Sequence, residues 1–566
     1  MIALLRPVRC LVIAAMACCL LVSVGQANTR TLAKVKGLFV QWDRPDSPGA
    51  AVVIVKDGAV VHLRGYGCAN LEDRTPITPQ TAFDVASVAK QFTGLSIAML
   101  VERGRISLED DIRTFLPDVP NFGKQITIGQ LLHHCSGLRD WTETLNLAGV
   151  DAASPIALEM ILEMVRHQRE LDFAPGEEQQ YSNTGYNLLA AAVAKVTREP
   201  FRSWTELNIF RPLGMKHTQL NDNPAELIPH RAESYTPAGP GKFERVTSQL
   251  AAQGSSSLFT TAEDMAKWLL NFETGRVGGR TAIELTLQPW ALNSGAKVNY
   301  GFGVALSEYH GARMITHGGS WAGYRSIVMR IPEKRFAVAI LSNVGNMPTE
   351  KLAREIADLY LNYPAAPRSP QSVPKPDPAF RANPFDWEVF LGTYRLGPGW
   401  FLAITREGNE IMIQAGGSPK SRMEPLSERT FLDAAQGAKV EFICDSSNSV
   451  THLLYRDLRV PRLHPPASNP DLLKAYAGDY WSDELRVAYR LEVLNGQLGT
   501  RHRSGKWIHL LPTDPDRFDT NEGGWSIAFT RNAAAEVTDL KVSGGRIRNV
   551  RFKRCSLPGI AHPLMH

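Results

Sequence analysis

Residues 83–103 read FDVASVAKQFTGLSIAMLVER. Apolar side chains recur every three or four residues along this stretch, which predicts a helix from about Ser87 to Arg103. Positions three apart share one face of a helix, so Lys90 can bring its amine beside the hydroxyl of Ser87. A serine needs a base to act as a nucleophile, and a lysine whose pKa is lowered by its surroundings can serve. Alone, the same spacing also fits an exposed helix start.

A second polar cluster, Tyr181-Ser-Asn183, follows a Pro-Gly pair and precedes a stretch rich in Ala and Leu. This pattern predicts a loop at the entrance of a helix. A phenol held near an ammonium can exist as phenolate and accept a proton, and the Asn183 amide can donate hydrogen bonds to Lys90 and to a substrate carbonyl. A turn followed by a helix cap would show the same tripeptide.

A third cluster, His317-Gly-Gly-Ser320, enters a strand pattern. Gly318 and Gly319 carry no side chain and allow a ligand to approach the backbone closely. An ordinary glycine turn beside a surface histidine is the alternative interpretation.

The three clusters follow one another at intervals of roughly one hundred residues. In this combination the chain resembles the serine β-lactamase and penicillin-binding protein superfamily, whose pattern is Ser-x-x-Lys, Tyr-x-Asn and Lys-Thr-Gly or a His-containing equivalent. It is most similar to the branch of class C β-lactamases, DD-carboxypeptidases, esterases and D-aminopeptidases. The resemblance covers about residues 32–362 and extends to the segments 104–111, 131–138 and 300–303.

The resemblance implies a role for each residue of the three clusters. Ser87 would be the nucleophile, Lys90 its activator and Tyr181 the proton shuttle. Asn183 would position Lys90 and the substrate, and His317 would line the pocket on the edge strand.

The resemblance also implies how the substrate carbonyl is held. Gly318, Gly319 and Ser320 would complete the substrate-binding segment, and the backbone N–H groups of Ser87 and Ser320 would form the oxyanion hole. Each such donor in a dry site is typically worth about 10² to 10³ in rate. A histidine in the segment Leu131-Leu-His-His134 matches a family position and is interpreted as structural. No cofactor and no metal are predicted, since no His-Glu-x-x-His motif occurs.

One position departs from the pattern of β-lactamases. His317 stands where they have lysine, which weakens the case for dedicated β-lactam hydrolysis. An imidazole with an ordinary pKa near 6.5 is mostly neutral at pH 7.5 but still donates one hydrogen bond. Arg325 could supply the missing charge.

The sequence therefore predicts a serine hydrolase that acts through an acyl-enzyme on small peptides, amides or esters, with D-amino-acid peptides and amides or simple esters preferred. The first alternative is a DD-carboxypeptidase or β-lactamase. The alternative of another class is a binding protein that kept the fold without turnover. Loss of Ser87, Lys90 or Tyr181 would have marked that case, and all three are present.

The first residues are typical of a secretory signal peptide. Arg6 and Arg9 precede an apolar run over 10–24, and the small residues Gly25 and Ala27 form a cleavage site before Asn28. The run is shorter than the roughly 20 apolar residues that span a bilayer. An uncleaved anchor is the alternative. We expect an exported protein, periplasmic or secreted, without a stable membrane span after cleavage and with its oligomeric state left open.

Strand patterns at both ends of residues 28–363 predict an α/β (α+β) fold with a central antiparallel sheet and a helical region. Two β-rich runs around Asp57-Gly58 indicate a hairpin at the first end. Two strands after His317, at 327–331 and 336–341, and a helix over 350–361 complete the second end.

A proline-rich segment, 364–385, separates this domain from a region that is almost entirely strand and turn. The related segments 390–394 and 476–480 each precede a hairpin, which indicates a repeat. We therefore predict two separately folded small β-barrels, 386–464 and 465–566, which resemble the lipocalin-like C-terminal modules of some members of the superfamily. A single β-sandwich is the alternative.

The net charge and the cysteines of the sequence exclude few classes of function. The net charge of +5 is small for 566 residues. The densest basic stretch, 546–554, alternates with apolar residues and is interpreted as a solvated strand face rather than a nucleic-acid site. Buried free thiols are expected of the cysteines that remain after the signal peptide: Cys68, Cys135, Cys444 and Cys555.

Overall fold

The computed structural model describes residues 29–151, 153–363, 383–416, 418–463, 470–501, 505–520 and 524–556. The predicted signal peptide and residues 364–382 of the predicted linker lie outside them. Three units follow along the chain: a mixed domain over the first two ranges, a β-sheet module and a closed β-barrel.

The mixed domain is built on a six-stranded sheet in which all neighbouring strands are antiparallel. Both ends of the domain contribute strands, as the sequence predicted. The strands are β1 Ala50–Lys56, β2 Ala59–Tyr66, β3 Ala305–Tyr309, β4 Ala312–Trp321, β5 Tyr324–Ile331 and β6 Phe336–Ser342. Their order across the sheet is β3-β4-β5-β6-β1-β2.

Both faces of this sheet are buried, because β1 alternates between two apolar clusters. Ala51 and Val53 pack toward the side of the helices that carry Phe92 and Trp268. Val52 and Ile54 belong to the cluster on the other side, with residues of Thr29–Leu38 and Thr349–Leu361. The helices of the domain are Thr29–Leu38, Lys90–Glu102, Ile128–Leu132, Trp141–Leu147, Leu158–His167, Asn183–Thr197, Phe201–Thr205, Arg211–Leu213, Ala262–Thr274, Gly279–Leu285 and Thr349–Leu361.

The domain also contains short strands outside the central sheet. They are Cys68–Asn70, Thr75–Pro76, Phe83–Asp84, Ile156–Ala157, Gln219–Leu220, Tyr235–Gly239, Lys242–Arg245, Leu250–Ala251, Leu258–Thr260, Trp290–Ala291 and Lys297–Val298.

The first module is an eight-stranded antiparallel sheet whose ends are joined by a bridge between Tyr394 and Arg462. Its strands are Gly392–Gly397, Trp400–Glu407, Glu410–Ala415, Ser421–Pro425, Thr430–Asp433, Ala438–Cys444, Val450–Tyr455 and Leu458–Pro461.

The second module is a closed eight-stranded barrel preceded by a short helix, Pro470–Lys474. Its strands are Gly478–Ser482, Val487–Leu494, Gln497–Arg501, Trp507–Asp514, Arg517–Thr520, Ser526–Arg531, Val537–Gly544 and Ile547–Cys555.

The predicted repeat between the modules is confirmed in atomic detail. Tyr394 donates its hydroxyl to the Phe390 carbonyl at 2.7 Å, and Tyr480 donates to the Tyr476 carbonyl at 2.8 Å. The glycine of each motif has a positive φ, 145° at Gly392 in the first module and 144° at Gly478 in the second. A guanidinium lies against each glycine, so the two modules start with the same local structure.

The barrel of the second module, called the second barrel below, docks against the mixed domain through buried charges. The Arg139 guanidinium, which is almost fully buried, donates to Glu484 Oε1 at 2.8 Å and to the Arg548 carbonyl at 2.9 Å. Leu147 is buried within the apolar cluster of the barrel. The barrel and the mixed domain therefore share an interface with apolar and charged contacts.

The basic stretch 546–554 is a solvated strand face at Arg551, Lys553 and Arg554, as the sequence suggested, whereas Arg546 and Arg548 contact the mixed domain. Its apolar residues point into the barrel, as the alternation predicted. Its cations are paired: Arg548 bonds Glu178, Arg551 bonds Asp539 and Lys553 bonds Asp483. Strand alternation separates the two faces of a strand but does not show whether the polar face meets solvent or another domain.

Among the residues that the structure describes, none of the helices combines the length and apolar character needed to cross a bilayer. The four cysteines among the described residues are free thiols, of which Cys68 and Cys135 are buried. Cys444 and Cys555 are only half-buried, so the expectation of burial is wrong for these two.

Candidate active site

Ser87 lies on a tight turn rather than on the helix that the sequence predicted for it. A 3₁₀ turn covers Ala86–Ala89, and the α-helix begins at Lys90. Ala86 has a φ of 46°, and its N–H donates to the buried Asp84 carboxylate at 2.8 Å. A left-handed residue does not fit a right-handed α-helix, so the helix does not extend back through Ala86.

The predicted contact between the serine and the lysine is present, with Lys90 Nζ 3.2 Å from Ser87 Oγ. Lys90 is fully buried, and burial holds the pKa of its amine well below the usual lysine range. Lys90 Nζ also donates to Asn183 Oδ1 at 2.7 Å and to the Ser255 carbonyl at 2.8 Å. An uncharged amine that donates to these two oxygens keeps its lone pair for the Ser87 hydroxyl. The arrangement can therefore deprotonate Ser87.

The Ser255 carbonyl was missed by the sequence interpretation. It belongs to the run Gly254-Ser-Ser-Ser257, in which Gly254 has a φ of 94°. A Cβ on Gly254 would lie 2.3 Å from the Tyr186 carbonyl oxygen, so only glycine lets this loop approach the helix Asn183–Thr197. A glycine followed by three serines is the signal that could have drawn attention to this loop.

Tyr181 lies beside the serine and the lysine, with its ring centroid 4.9 Å from Lys90 Nζ. Burial raises the pKa of the phenol, and a hydrogen bond with Ser87 only partly opposes this effect. In the resting site burial thus favours the uncharged forms of both Tyr181 and Lys90. It disfavours the phenolate beside an ammonium that the sequence suggested.

Asn183 is the first residue of its helix, as predicted, but the direction of its hydrogen bond with Lys90 is the reverse of the predicted one. Its Oδ1 accepts from Lys90, while its Nδ2 donates to Asp140 Oδ2 at 3.0 Å. The Asn183 backbone N–H also donates to Asp140, at 2.6 Å. Asp140 is fully buried and was not singled out by the sequence. Its local signal is that of a helix N-cap, since it begins the helix Trp141–Leu147.

His317 has no hydrogen-bonding nitrogen left for a substrate. Its Nδ1 lies 2.7 Å from the Gly318 carbonyl oxygen and must donate there, so Nε2 accepts from the Tyr300 hydroxyl at 2.8 Å. Burial and the nearby Lys90 lower the pKa of His317 to about 3. His317 is therefore neutral near pH 7, as expected. The imidazole N–H that the sequence interpretation assigned to a substrate already donates to the Gly318 carbonyl.

The position of His317 in the sheet also needs correction. The edge strand is β3, and it pairs with β4 only as far as Thr316. Residues from His317 onward extend beyond the end of β3, which leaves this half of β4 at an open edge.

Six of the predicted residues line one open cleft of about 370 Å³. Lys90 and Asn183 lie among the buried residues beside it. The six residues are Ser87, Tyr181, His317, Gly318, Gly319 and Ser320.

Gly319 lets β4 approach the turn that carries the serine. A Cβ at this position would lie 2.1 Å from the Val85 carbonyl oxygen and 2.2 Å from Ser326 Oγ. The Val85 carbonyl accepts the Ser326 hydroxyl at 2.7 Å and the Val88 N–H at 3.1 Å, so it anchors the turn around Ser87. At Gly318 a Cβ would meet nothing nearer than 3.6 Å.

We expect Gly319→Ala to lower the rate at which Ser87 reacts as a nucleophile by about 10²-fold, because a displacement of about 1 Å in a reacting group costs that much. The measurement is the rate of labelling by a fluorophosphonate. Gly318→Ala, which adds the same methyl group one residue away, should cost less than about tenfold. Equal losses in the two variants would contradict the packing argument.

The structure also shows the contacts of two further residues from the sequence analysis, His134 and Arg325. His134 accepts the Ser182 N–H at its Nδ1, and burial keeps its pKa well below the usual histidine range. Its ring lies 4.3 Å from that of Tyr181, which agrees with a structural role. Arg325 donates to the carbonyls of Ala322 and Tyr324 and does not line the cleft, so it does not replace the missing cation.

Within the described parts of the chain, the side chains of His, Cys, Asp and Glu form no group of three or more that could hold a metal ion.

Comparison with known proteins gives consistent matches. A family model described as Beta-lactamase matches residues 38–361. Penicillin-binding protein 4* of Bacillus subtilis (strain 168) is 26% identical over 423 residues, which cover 72% of this chain and 92% of that protein. A D-aminopeptidase of Brucella anthropi is 25% identical over 533 residues, 90% of this chain and 95% of that protein. The second similarity extends beyond the mixed domain into the β modules.

A solved structure of similar fold is the octameric penicillin-binding protein homologue from Pyrococcus abyssi. It aligns with a TM-score of 0.56 and 25% identity, over 76% of this chain and 99% of that chain.

Proposed function

This chain belongs to the beta-lactamase family and is a serine hydrolase, and from this premise we propose that it is an exported enzyme that forms an acyl-enzyme at Ser87. Its proposed substrates are amides and esters, chiefly peptides and amides of D-amino acids. Export rests on the signal-peptide pattern of residues 1–27.

One observation carries the assignment of the catalytic residues. Lys90 Nζ lies 3.2 Å from Ser87 Oγ, while its two other hydrogen-bonding directions are occupied by Asn183 Oδ1 and the Ser255 carbonyl. A buried amine held in this way is a base aimed at one hydroxyl.

In the proposed reaction the Ser87 oxygen bonds to the substrate carbonyl carbon while its proton passes to Lys90. The backbone N–H groups of Ser87 and Ser320 stabilise the oxyanion. When the C–N or C–O bond breaks, Tyr181 donates its proton to the leaving amine or alcohol and recovers one from Lys90. Water then attacks the acyl-enzyme ester, and one proton passes from it through Tyr181 to Lys90. When the bond between Ser87 Oγ and the acyl carbon breaks, Ser87 takes that proton back and the acid leaves.

The surroundings of His317 favour substrates without a free carboxylate. The imidazole is uncharged and both of its nitrogens are occupied, so this position offers neither a cation nor a free donor. The similarity to a D-aminopeptidase over 90% of this chain supports the same choice. A DD-carboxypeptidase or a β-lactamase would need a carboxylate partner elsewhere in the cleft.

We expect a D-aminoacyl amide and the matched ester to react faster than a peptide that ends in a free carboxylate, at both pH 6 and pH 8. The preference should not change over this range, because the lowered pKa of His317 leaves the ring uncharged at both values. The measurement is kcat/KM for one acyl group offered in the three forms, with His317→Lys as the converse variant. In that variant the carboxylate form should gain relative to the amide.

A preference of about 10²-fold or more for the carboxylate form in the wild-type enzyme would contradict this substrate class and favour the carboxypeptidase alternative.

A further inference from the structure

The last hairpin of the second barrel, Val537–Gly544 with Ile547–Cys555, ends beside the candidate active site. Its turn residue Gly545 lies so close to Glu143 that a Cβ would stand 2.8 Å from the carboxylate carbon. The next residue, Arg546, places its Nη2 3.2 Å from Asp140 Oδ1. The same guanidinium lies 5.6 Å from the centroid of the Tyr181 ring.

A continuous set of polar contacts joins this guanidinium to the lysine. Arg546 contacts Asp140, Asp140 accepts two hydrogen bonds from Asn183, and Asn183 Oδ1 accepts from Lys90. The Asp140 N–H also donates to the Arg546 carbonyl at 3.3 Å, so backbone and side chain hold the turn in the same place. A residue of the barrel is thus two side chains away from Lys90.

The charge of Arg546 is committed to the mixed domain rather than left for a substrate anion. Its Nη2 also donates to Thr142 Oγ1 at 2.8 Å and lies 3.8 Å from Glu143 Oε1. Two carboxylates and a hydroxyl therefore surround one guanidinium.

The charges around Lys90 oppose each other. The Asp140 carboxylate favours the ammonium form of Lys90, and the Arg546 guanidinium disfavours it. The Arg546 charge also lowers the pKa of Tyr181. Apart from Asp140 and Arg546, the titratable groups that face Lys90 are Ser87, Tyr181, Tyr186, His134 and His317.

We propose that Arg546 is a positioning residue for the active site: supplied by the second barrel, it holds Asp140 in place and offsets its charge beside the pair of Asn183 and Lys90. The inference rests on the proposed function, since it concerns the base that activates Ser87. It gives the second barrel a role in catalysis that does not require contact with the substrate.

The experiment measures, as a function of pH, the rate at which a fluorophosphonate phosphonylates Ser87 of the full chain with loss of fluoride. In Arg546→Gln the rise of the rate with pH should move upward by about one pH unit, because a charge at this range in a partly buried site has an effect of that size. The rate on the rising part should fall about tenfold, while the plateau at high pH should approach that of the wild type. The direction is the same whether Lys90 or Tyr181 limits the rise, because removal of the cation raises both pKa values.

Three variants separate charge from structure. Arg546→Lys retains the cation and should keep the wild-type pH profile. Arg548→Gln removes a neighbouring interface cation, which pairs with Glu178 rather than Asp140, and should not displace the profile. Asp140→Asn removes the opposing charge and should move the rise to lower pH, which keeps a test available if Arg546→Gln does not fold.

The outcomes are distinguishable. If the wild-type protein is not labelled at Ser87, the proposed function and this inference both fail. If it is labelled but Arg546→Gln loses rate equally at every pH, or Arg548→Gln displaces the profile as much, only the role of Arg546 is overturned.

Discussion

Ser87→Ala is expected to abolish covalent labelling by a fluorophosphonate and to lower turnover of amides and esters by about 10⁴- to 10⁶-fold. Effects of that size follow loss of the nucleophile in serine hydrolases. The reason here is geometric: Ser87 Oγ is the hydroxyl that Lys90 Nζ approaches, at 3.2 Å. The measurement combines mass spectrometry of the labelled protein with kcat/KM.

Ser320→Ala is a matched control for this variant, because Ser320 is a second serine of the same cleft. The substitution retains the backbone N–H that is proposed for the oxyanion hole, so Ser320→Ala should still be labelled. Retention of more than about a tenth of the activity by Ser87→Ala, in a preparation free of host hydrolases, would overturn the assignment. Labelling without turnover in the wild type would instead favour the binding-protein alternative.

Lys90→Met is expected to lower acylation by about 10²- to 10⁴-fold, the range typical of a positioned general base. Methionine has a similar length and no proton to exchange. Because the pKa of Lys90 is lowered by burial, the wild-type rate should reach its plateau well below the pH at which an ordinary lysine ionises. The residual activity of Lys90→Met should lack that rise, and the measurement is the pH profile of kcat/KM.

Tyr181→Phe distinguishes the base from the group that protonates the leaving group. An activated ester such as a p-nitrophenyl ester releases an anion that needs no proton, so Tyr181→Phe should cost much less with this ester than with an amide. Lys90→Met should slow both substrates. A loss in Tyr181→Phe that is the same for both substrates would contradict the proposed division of roles.

The central sheet could be predicted because its signals are local. The hairpin of β1 and β2 turns at Asp57 and Gly58, which both have a positive φ as such turns require. The helix Thr349–Leu361 lies within a residue of the prediction, since its periodicity is visible along one segment. The repeat of the two modules was visible for the same reason.

The candidate site was predicted only in part. Ser87, Lys90, Tyr181 and Asn183 meet as their motifs implied. The pKa shifts of the site did not follow from the motifs, because burial rather than residue type favours the uncharged forms of the lysine and the tyrosine.

The partners of His317 illustrate the same limit. A histidine on a strand next to two glycines indicates a pocket residue, and His317 lies in the cleft. The pattern does not show that Tyr300 and the Gly318 carbonyl occupy both nitrogens. Whether a polar side chain is available to a ligand depends on which groups the fold brings to it.

The sequence by itself determined the family resemblance, the sheet built from both ends of the domain, the paired modules and the serine and lysine three residues apart. Tertiary structure alone decided what surrounds that pair. Asn183 and the Ser255 carbonyl contact Lys90 although they lie 93 and 165 positions from it in the sequence. Arg546 contacts Thr142, two residues after Asp140, across 404 positions. Periodicity and spacing report contacts within a few residues, whereas these contacts exist only because packed helices and a docked barrel bring distant segments together.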